Sequence, residues 1–316
     1  MPPNFSIIIP TKNEEQNIGN CLDSIFSVSW DKGDFEIILI DNGSTDRTIE
    51  IVRAFDVTYF VRPNDTLGGL RNFGAWKSNG KILAFLDADC TVHSSWLREA
   101  SRYLADKEVA CFGSPPIVPP GSTWVQRTWF QVRQKRNPGE TEWLESMNMF
   151  VRRDAFISVG GFDEELITCE DYDISLRLKR VGKLMVEPRI VAIHHGEAAT
   201  VTDFYRKEIW RGTGNFHGMS RHGISLRELP SVALPLFYLI LGTIVVLFPV
   251  AWYVVSGRLN SLLWLISFAI WQAPLAALAL WKIRSNLRLS QGFQLYTLLN
   301  IYFLARGNAL LAGLRH

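Results

Sequence analysis

Short apolar runs alternate with polar clusters through the first two-thirds of the chain, and long apolar runs fill the last third. Phe5-Ser6-Ile7-Ile8-Ile9-Pro10 runs into Thr11-Lys12-Asn13-Glu14-Glu15. Glu36-Ile37-Ile38-Leu39-Ile40 runs into Asp41-Asn42-Gly43-Ser44-Thr45-Asp46. Ile82-Leu83-Ala84-Phe85-Leu86 runs into Asp87-Ala88-Asp89. Each run has the length and apolar character of a buried strand, and Glu36 to Ile40 is β-branched as well. A helical stretch follows each, at roughly 15–29, 46–55 and 94–105, with Ser44 or Thr45 capping the second and Ser94 the third. Alternating strands and helices predict an α/β fold with a mostly parallel, doubly wound sheet. Ligands of such sheets bind outside the carboxyl ends of the strands. The three polar clusters therefore converge on one crevice.

The last third follows different rules. Leu229 to Gly257 carries no charge, and neither does 259–281. Each run exceeds the roughly 20 residues that cross ~30 Å of hydrocarbon. Pro235, Pro249 and Pro274 are better tolerated in membrane helices than in soluble cores. Trp252, Tyr253, Trp264, Trp271 and Trp281 suit interfacial belts. These features predict a membrane domain over 226–316, with spans at about 232–256 and 259–281 joined by a short hairpin. A further span or re-entrant segment is expected at about 291–312, where Gln291, Gln294 and Asn300 interrupt the apolar pattern. Lys282, Arg284 and Arg288 follow the second span, and Arg258 alone sits in the hairpin. The positive-inside rule then places 282–288 in the cytoplasm. The start Met1-Pro2-Pro3-Asn4 has no basic segment and no long apolar run before the first strand, so the domain over 1–225 is expected on the same side. This predicts an integral membrane protein, of the inner membrane if the cell is bacterial.

A formal net charge of +2 gives no electrostatic footprint for nucleic acid. Four dispersed cysteines make no C-x-x-C pair and no metal spacing, which fits free thiols in a reducing compartment.

Candidate chemistry starts at Asp87-Ala88-Asp89. An isolated D-x-D is more often a turn. Two carboxylates closing a buried strand suit a hard divalent cation that takes oxygen ligands and bridges a diphosphate. Other motifs follow in order: Ile8 to Glu15, Ile40 to Asp46, Arg71-Asn72-Phe73-Gly74, and Cys169-Glu170-Asp171-Tyr172-Asp173. This series, over about residues 5–200, resembles the family 2 glycosyltransferases of the GT-A fold. Asn42 departs from it, standing where many members carry a second Asp.

The resemblance implies a nucleotide-sugar donor and assigns roles residue by residue. Asp89 binds Mn2+ or Mg2+, and Asp87 the ribose or the cation's outer shell. Asp41 holds the base, which suits a uridine or thymidine donor because a carboxylate accepts the imide N–H. Pro10, Thr11, Asn13 and Glu15 line the same pocket, with Arg71 near the base or diphosphate. Asp171 is the general base of a single in-line, inverting displacement, with Glu170 and Asp173 positioning the acceptor or its loop. A His after the Glu-Asp helix completes the metal shell. Alternation turns one of His194 and His195 inward without saying which, and we place His195 there.

Two basic aromatic segments, 122–136 and 203–211, carry an apolar stripe opposite Arg and Lys. Such helices rest in a headgroup layer or pack a sheet. Trp210 and Arg211 are candidates for acceptor contacts, and Arg211 to Asn215 for a lid. A lipid-linked or membrane-associated acceptor is the expected partner, in contact with membrane lipids. Direct transfer to a polyprenyl phosphate and a non-catalytic nucleotide-sugar-binding scaffold are the alternatives. The absence of Gln-x-x-Arg-Trp argues against a processive synthase.

Overall fold

The computed structural model describes residues 3–133, 137–213, 229–258, 260–283 and 289–313. In chain order the elements are β1 (Phe5–Thr11), α1 (Ile18–Phe26), β2 (Phe35–Asp41), α2 (Thr48–Val52), β3 (Thr58–Val61), α3 (Leu67–Lys77), β4 (Ile82–Leu86), β5 (Cys90–Val92), α4 (Trp96–Ser101), β6 (Val109–Gly113), α5 (Trp124–Arg133), β7 (Gly139–Glu140), β8 (Asn148–Arg152), α6 (Arg153–Ser158), α7 (Glu170–Leu178), β9 (Lys183–Val186), β10 (Ala192–His194), α8 (Val201–Thr213), α9 (Leu229–Ser256), α10 (Ser261–Ile283) and α11 (Leu289–Gly313). They form two compact units, Met1–Gly121 with Arg133–Glu197, and Ser122–Val132 with Ala198–His316.

The first unit is an eight-stranded sheet in the order β3-β2-β1-β4-β8-β6-β9-β7. β3, β2, β1 and β4 run parallel, as the alternation predicts. Beyond β4 the sheet is mixed, because β8 pairs antiparallel with both β4 and β6. Helices cover both faces, so both faces of the central strands are apolar. Ile7, Ile9, Ile37, Leu39, Ala84 and Leu86 enter one core. Ile8, Ile38, Ile40, Leu83 and Phe85 enter the other. This period-two division of a continuous apolar run fixes the register of each strand.

The expected helix caps are not formed. Arg47 precedes α2 and Ser95 precedes α4, and neither side chain caps its helix. Ser44 is engaged by Asp41 and Asn13 instead, and Asp46 Oδ1 accepts from Thr48 N at 3.0 Å.

In the second unit, Val125 of α5, Phe204 of α8 and Leu298 of α11 share one cluster, with Trp129 packed edge-on to Phe204 at 4.8 Å. The apolar stripes of α5 and α8 are thus spent on protein contacts. α8 continues through Thr213, so Arg211 to Thr213 is helical. Lys135, Gly214, Asn215, Arg284 and Arg288 lie outside the described residues.

α9 and α10 are long and apolar enough to cross a membrane, over Ala233–Ser256 and Ser261–Lys282. They are not core helices: Phe237, Ile240, Ile244, Val255, Leu262 and Ile270 are all 55–87% exposed. α11 differs. Its Arg306 donates to buried Glu208 of α8 at 3.0 Å, and its Asn300 accepts from Tyr238 Oη of α9 at 2.7 Å. Asn300, and Gln294, which accepts from Thr128 Oγ1 at 3.2 Å, are therefore packing residues.

Candidate active site

The loops after β1, β2 and β4 meet beside the start of α7. Thr11 and Asp41 are register partners at the ends of β1 and β2, both buried. Asp41 Oδ2 accepts from Gly43 N at 3.0 Å and Ser44 N at 2.9 Å, and its Oδ1 accepts from Ser44 Oγ at 2.5 Å. These bonds wrap a turn around the carboxylate, and Gly43 takes the left-handed conformation, φ +74°, that the turn requires. A carboxylate has about four acceptor positions, so one remains for a ligand N–H. Asn42 explains its own departure from the acidic pattern. Its amide donates to Asp65 O at 3.1 Å and accepts from Asp65 N at 3.2 Å, a pair that a carboxylate cannot make.

The β1 loop is held by the β2 loop. Asn13 Oδ1 accepts from Thr45 N at 2.8 Å, and Glu15 Oε2 accepts from Arg47 N at 3.1 Å. Glu15 and Asn13 thus brace the two loops against each other. Pro10 is buried at the end of β1. The hydroxyl of Thr11 is buried without a partner among the described residues. Glu14, next to these, was not singled out by its sequence context. Burial raises its carboxyl, and Asp89 and Asp87 add to the rise.

Arg71 of α3 is 1% exposed. Its Nη2 donates to Asp87 Oδ1 at 2.8 Å and its Nη1 to Glu170 Oε1 at 2.7 Å. The sequence expectation put Arg71 beside the base or diphosphate; the structure places it between two carboxylates. Burial raises the Asp87 carboxyl, opposed by the Arg71 guanidinium and reinforced by Asp89. The neighbouring Asn72 ties down the segment before α7, donating to Phe162 O at 2.9 Å and accepting from Phe162 N at 2.8 Å.

Asp89 faces a two-stranded ribbon. β5 and β10 pair antiparallel with Cys90 opposite His194. His194 is buried, and its Nε2 lies 3.0 Å from Asp89 Oδ2. His195 points the other way, exposed, with Nε2 2.9 Å from Thr91 Oγ1. The pair alternates as the strand pattern requires, and the histidine at Asp89 is His194 rather than His195. Burial would lower the His194 pKa, but Asp89 and Glu197 outweigh it and push it up to about 10.

Asp89 and His194 offer the oxygen and nitrogen donors that suit a Mn2+-type divalent cation. Asp89, Cys90 and His194 hold ligand atoms within 4.8 Å of one another. Cys90 is the poor member: burial, with Asp89 and Asp87 nearby, raises its thiol well up, and hard cations prefer oxygen. Gly196 confirms how tightly the space is drawn. A Cβ there would lie 1.8 Å from Asp89 Oδ2 and 3.2 Å from His194 Nε2. Sequence reading missed Gly196 and Glu197, although His-His-Gly-Glu on a strand end was the available signal.

α7 brings three carboxylates to its first turn, where the helix dipole favours them. Glu170 is taken by Arg71. Asp173 is buried and paired with Arg177, which donates to Val159 O at 2.7 Å and Gly161 O at 2.6 Å. Asp173 therefore braces a loop. Asp171 is partly buried, and that burial, with Glu170 and Glu145 adding their charge, raises its carboxyl to about 7. Trp210 and Arg211 belong to the second unit: Trp210 is 52% exposed, and Arg211 donates to Glu208 Oε1 at 2.8 Å.

The family model for glycosyl transferase family 2 matches residues 6–160, which span β1 to β8 and the loops after β1, β2 and β4 but stop short of α7 and β10. Glycosyltransferase AglE of Haloferax volcanii is 30% identical over 243 residues, 73% of this chain and 79% of that protein. The beta-monoglucosyldiacylglycerol synthase of a Nostoc strain is 28% identical over 195 residues, 56% of this chain but 41% of that protein. In fold, the chain is similar to the mannosyltransferase PcManGT of Pyrobaculum calidifontis, solved with GDP-Man and Mn2+. The TM-score is 0.61 at 18% identity, over 99% of this chain and 88% of that one. Strand order, loop chemistry and relatives agree: the chain belongs to the family 2 glycosyltransferases and is a glycosyltransferase of GT-A fold.

Proposed function

We propose that this enzyme transfers a sugar, with inversion, from a nucleoside diphosphate sugar to a lipid-linked or otherwise membrane-associated acceptor, using a divalent cation. The observation that carries this reading is Arg71. One buried guanidinium joins Asp87 at the donor strand end to Glu170 at the start of α7. The strand end that would hold the cation and the helix turn that carries Asp171 are thus tied together in one site.

Asp41 keeps one acceptor position for a base with a ring N–H, as uracil and thymine have. The Thr11 hydroxyl lies beside it. Asp89 and His194 would hold the cation, with Asp87 next to it; a bound cation would offset the charge that builds on the leaving diphosphate. Asp171 accepts the proton of the acceptor hydroxyl as that oxygen attacks the anomeric carbon opposite the leaving group. A single base serves a single displacement, which inverts the centre. α9 and α10 would anchor the enzyme, with the catalytic unit and the segment after α10 in the cytoplasm. The lipid-containing names among the relatives agree with a membrane-bound acceptor: one is a glucosyldiacylglycerol synthase.

The test is a thermal-shift screen of sugar nucleotides with Mn2+, Mg2+ or chelator, repeated on Asp89→Asn. One class of sugar nucleotide should stabilise the native chain in a metal-dependent way, and the variant should lose that dependence. Metal-dependent stabilisation of equal size in Asp89→Asn would remove Asp89 from the metal site. No stabilisation by any sugar nucleotide would count against the donor assignment.

A further inference from the structure

We infer that Glu197 is a positioning residue of the metal centre, fixing the ring of His194 so that one nitrogen faces the cation. The inference rests on the proposed metal role of Asp89 and His194. The His194 ring lies between two carboxylates. Nε2 is 3.0 Å from Asp89 Oδ2, and Nδ1 is 3.5 Å from Glu197 Oε1. The second separation is an ion-pair distance and not a formed hydrogen bond: Nδ1 is buried without a hydrogen-bond partner among the described residues, and Glu197 is the carboxylate it faces. Glu197 is 6% exposed, in a segment that sits three residues beyond the histidine. A carboxylate is costly to bury unless something charged or hydrogen-bonding faces it.

The arrangement has the form of a ligand and its outer partner. Imidazole binds a metal through one nitrogen while the other donates its N–H to a carboxylate, which fixes the tautomer and the ring angle. Here the nitrogen nearest Asp89 is Nε2, and the nitrogen turned to a carboxylate is Nδ1. The backbone fixes the rest. His194 N donates to Ile117 O at 2.8 Å, and His195 N donates to Asp89 O at 2.9 Å, so main-chain bonds hold both ligand-bearing segments. Main-chain bonds do not set the rotation of the imidazole about its own axis. Among the described groups near Nδ1, Glu197 is the one placed to do so.

The experiment is Mn2+ titration followed by EPR, alone and with the nucleoside diphosphate chosen by the screen above, on the full chain. Glu197→Met keeps the side-chain volume and removes the acceptor, and should weaken Mn2+ binding about 10–100-fold, the usual cost of losing such a partner. Glu197→Gln keeps an oxygen for the Nδ1–H and should stay within a few-fold of the native chain. In the His194→Ala background, Glu197→Met should add nothing. Native-like Mn2+ affinity in Glu197→Met overturns the inference, and so does an undiminished effect of that change in the His194→Ala background. Should Glu197→Met fail to fold, Glu197→Asp decides: it withdraws the carboxylate by one methylene and should weaken binding, and native affinity there is equally fatal. If His194→Ala itself binds Mn2+ normally, the metal role of His194 fails and the inference goes with it. If His194→Ala is impaired but both Glu197 variants are not, the inference alone fails.

Discussion

Asp171 shows how one residue is tuned by its neighbours. Its ordinary pKa is 3.8, and burial beside Glu170 and Glu145 raises it to about 7. A general base works best with a pKa near the working pH, so this shift suits the role. It also costs stability. The folded chain binds the Asp171 proton more tightly than the unfolded chain, so between about pH 4 and 7 it carries the extra proton. Stability from this group therefore falls as pH rises through that window, and the full cost is present above pH 7. Asp171→Asn never charges. Its melting temperature relative to the native chain should rise between pH 5 and pH 8, while turnover drops by roughly 10²–10⁴ and donor affinity stays within a few-fold. The native enzyme's kcat/KM should climb with pH through a limb near 7. Collapse of donor affinity in the variant would move Asp171 out of the base role and into the donor or structural shell.

At the scale of elements, the legible part was the part governed by local pattern. β1, β2 and β4 were readable because largely apolar runs of five to seven residues suit strands covered on both faces. β8, β6 and β9 were not, since the antiparallel insertion of β8 and the parallel pairing of β9 on β6 depend on long-range contacts that no local period encodes. Ser44 looked like a cap because its competitors, the Asp41 carboxylate and Asn13 N–H, lie three and 31 residues away in sequence. The histidine was misplaced for a related reason. Alternation gives the spacing of sides but not which side is inward, and that is set by the register of β10 on β5. The same ribbon predicts a sensitive position outside any ligand. Gly196→Ala would put a methyl 1.8 Å from Asp89 Oδ2. The carboxylate must swing away, so metal-dependent donor binding should fall about as far as in Asp89→Asn, with the fold retained by circular dichroism. Native metal affinity in Gly196→Ala would show that Asp89 has room to move and that this corner is not closed.

For the whole molecule the open quantity is direction across a bilayer. α9 and α10 expose most of their apolar side chains, far more than a soluble surface carries, so lipid is the environment that their composition fits. Their short connection through Gly257 and Asn260 makes them a hairpin, and a hairpin that crosses a bilayer has its tip and its base on opposite sides. By the positive-inside rule, Lys282, Arg284 and Arg288 against Arg258 alone predict that the base of the hairpin faces the cytoplasm. Single cysteines at Asn260 and Ser290 test this directly. Cys21, Cys90 and Cys111 are buried, and a Cys169→Ser background removes the one partly exposed thiol. In sealed cells a membrane-impermeant maleimide should label position 260 from outside, and position 290 after the cells are opened. α11, with Arg306 held by buried Glu208, should not add a crossing, so a cysteine introduced at Leu311 should not label from the outer side. Labelling of position 290 from outside would invert the topology and place the catalytic unit away from cytoplasmic sugar nucleotides, which would overturn the orientation and the donor supply together. Release of the intact protein by alkaline carbonate would go further and remove the bilayer from the account of α9 and α10.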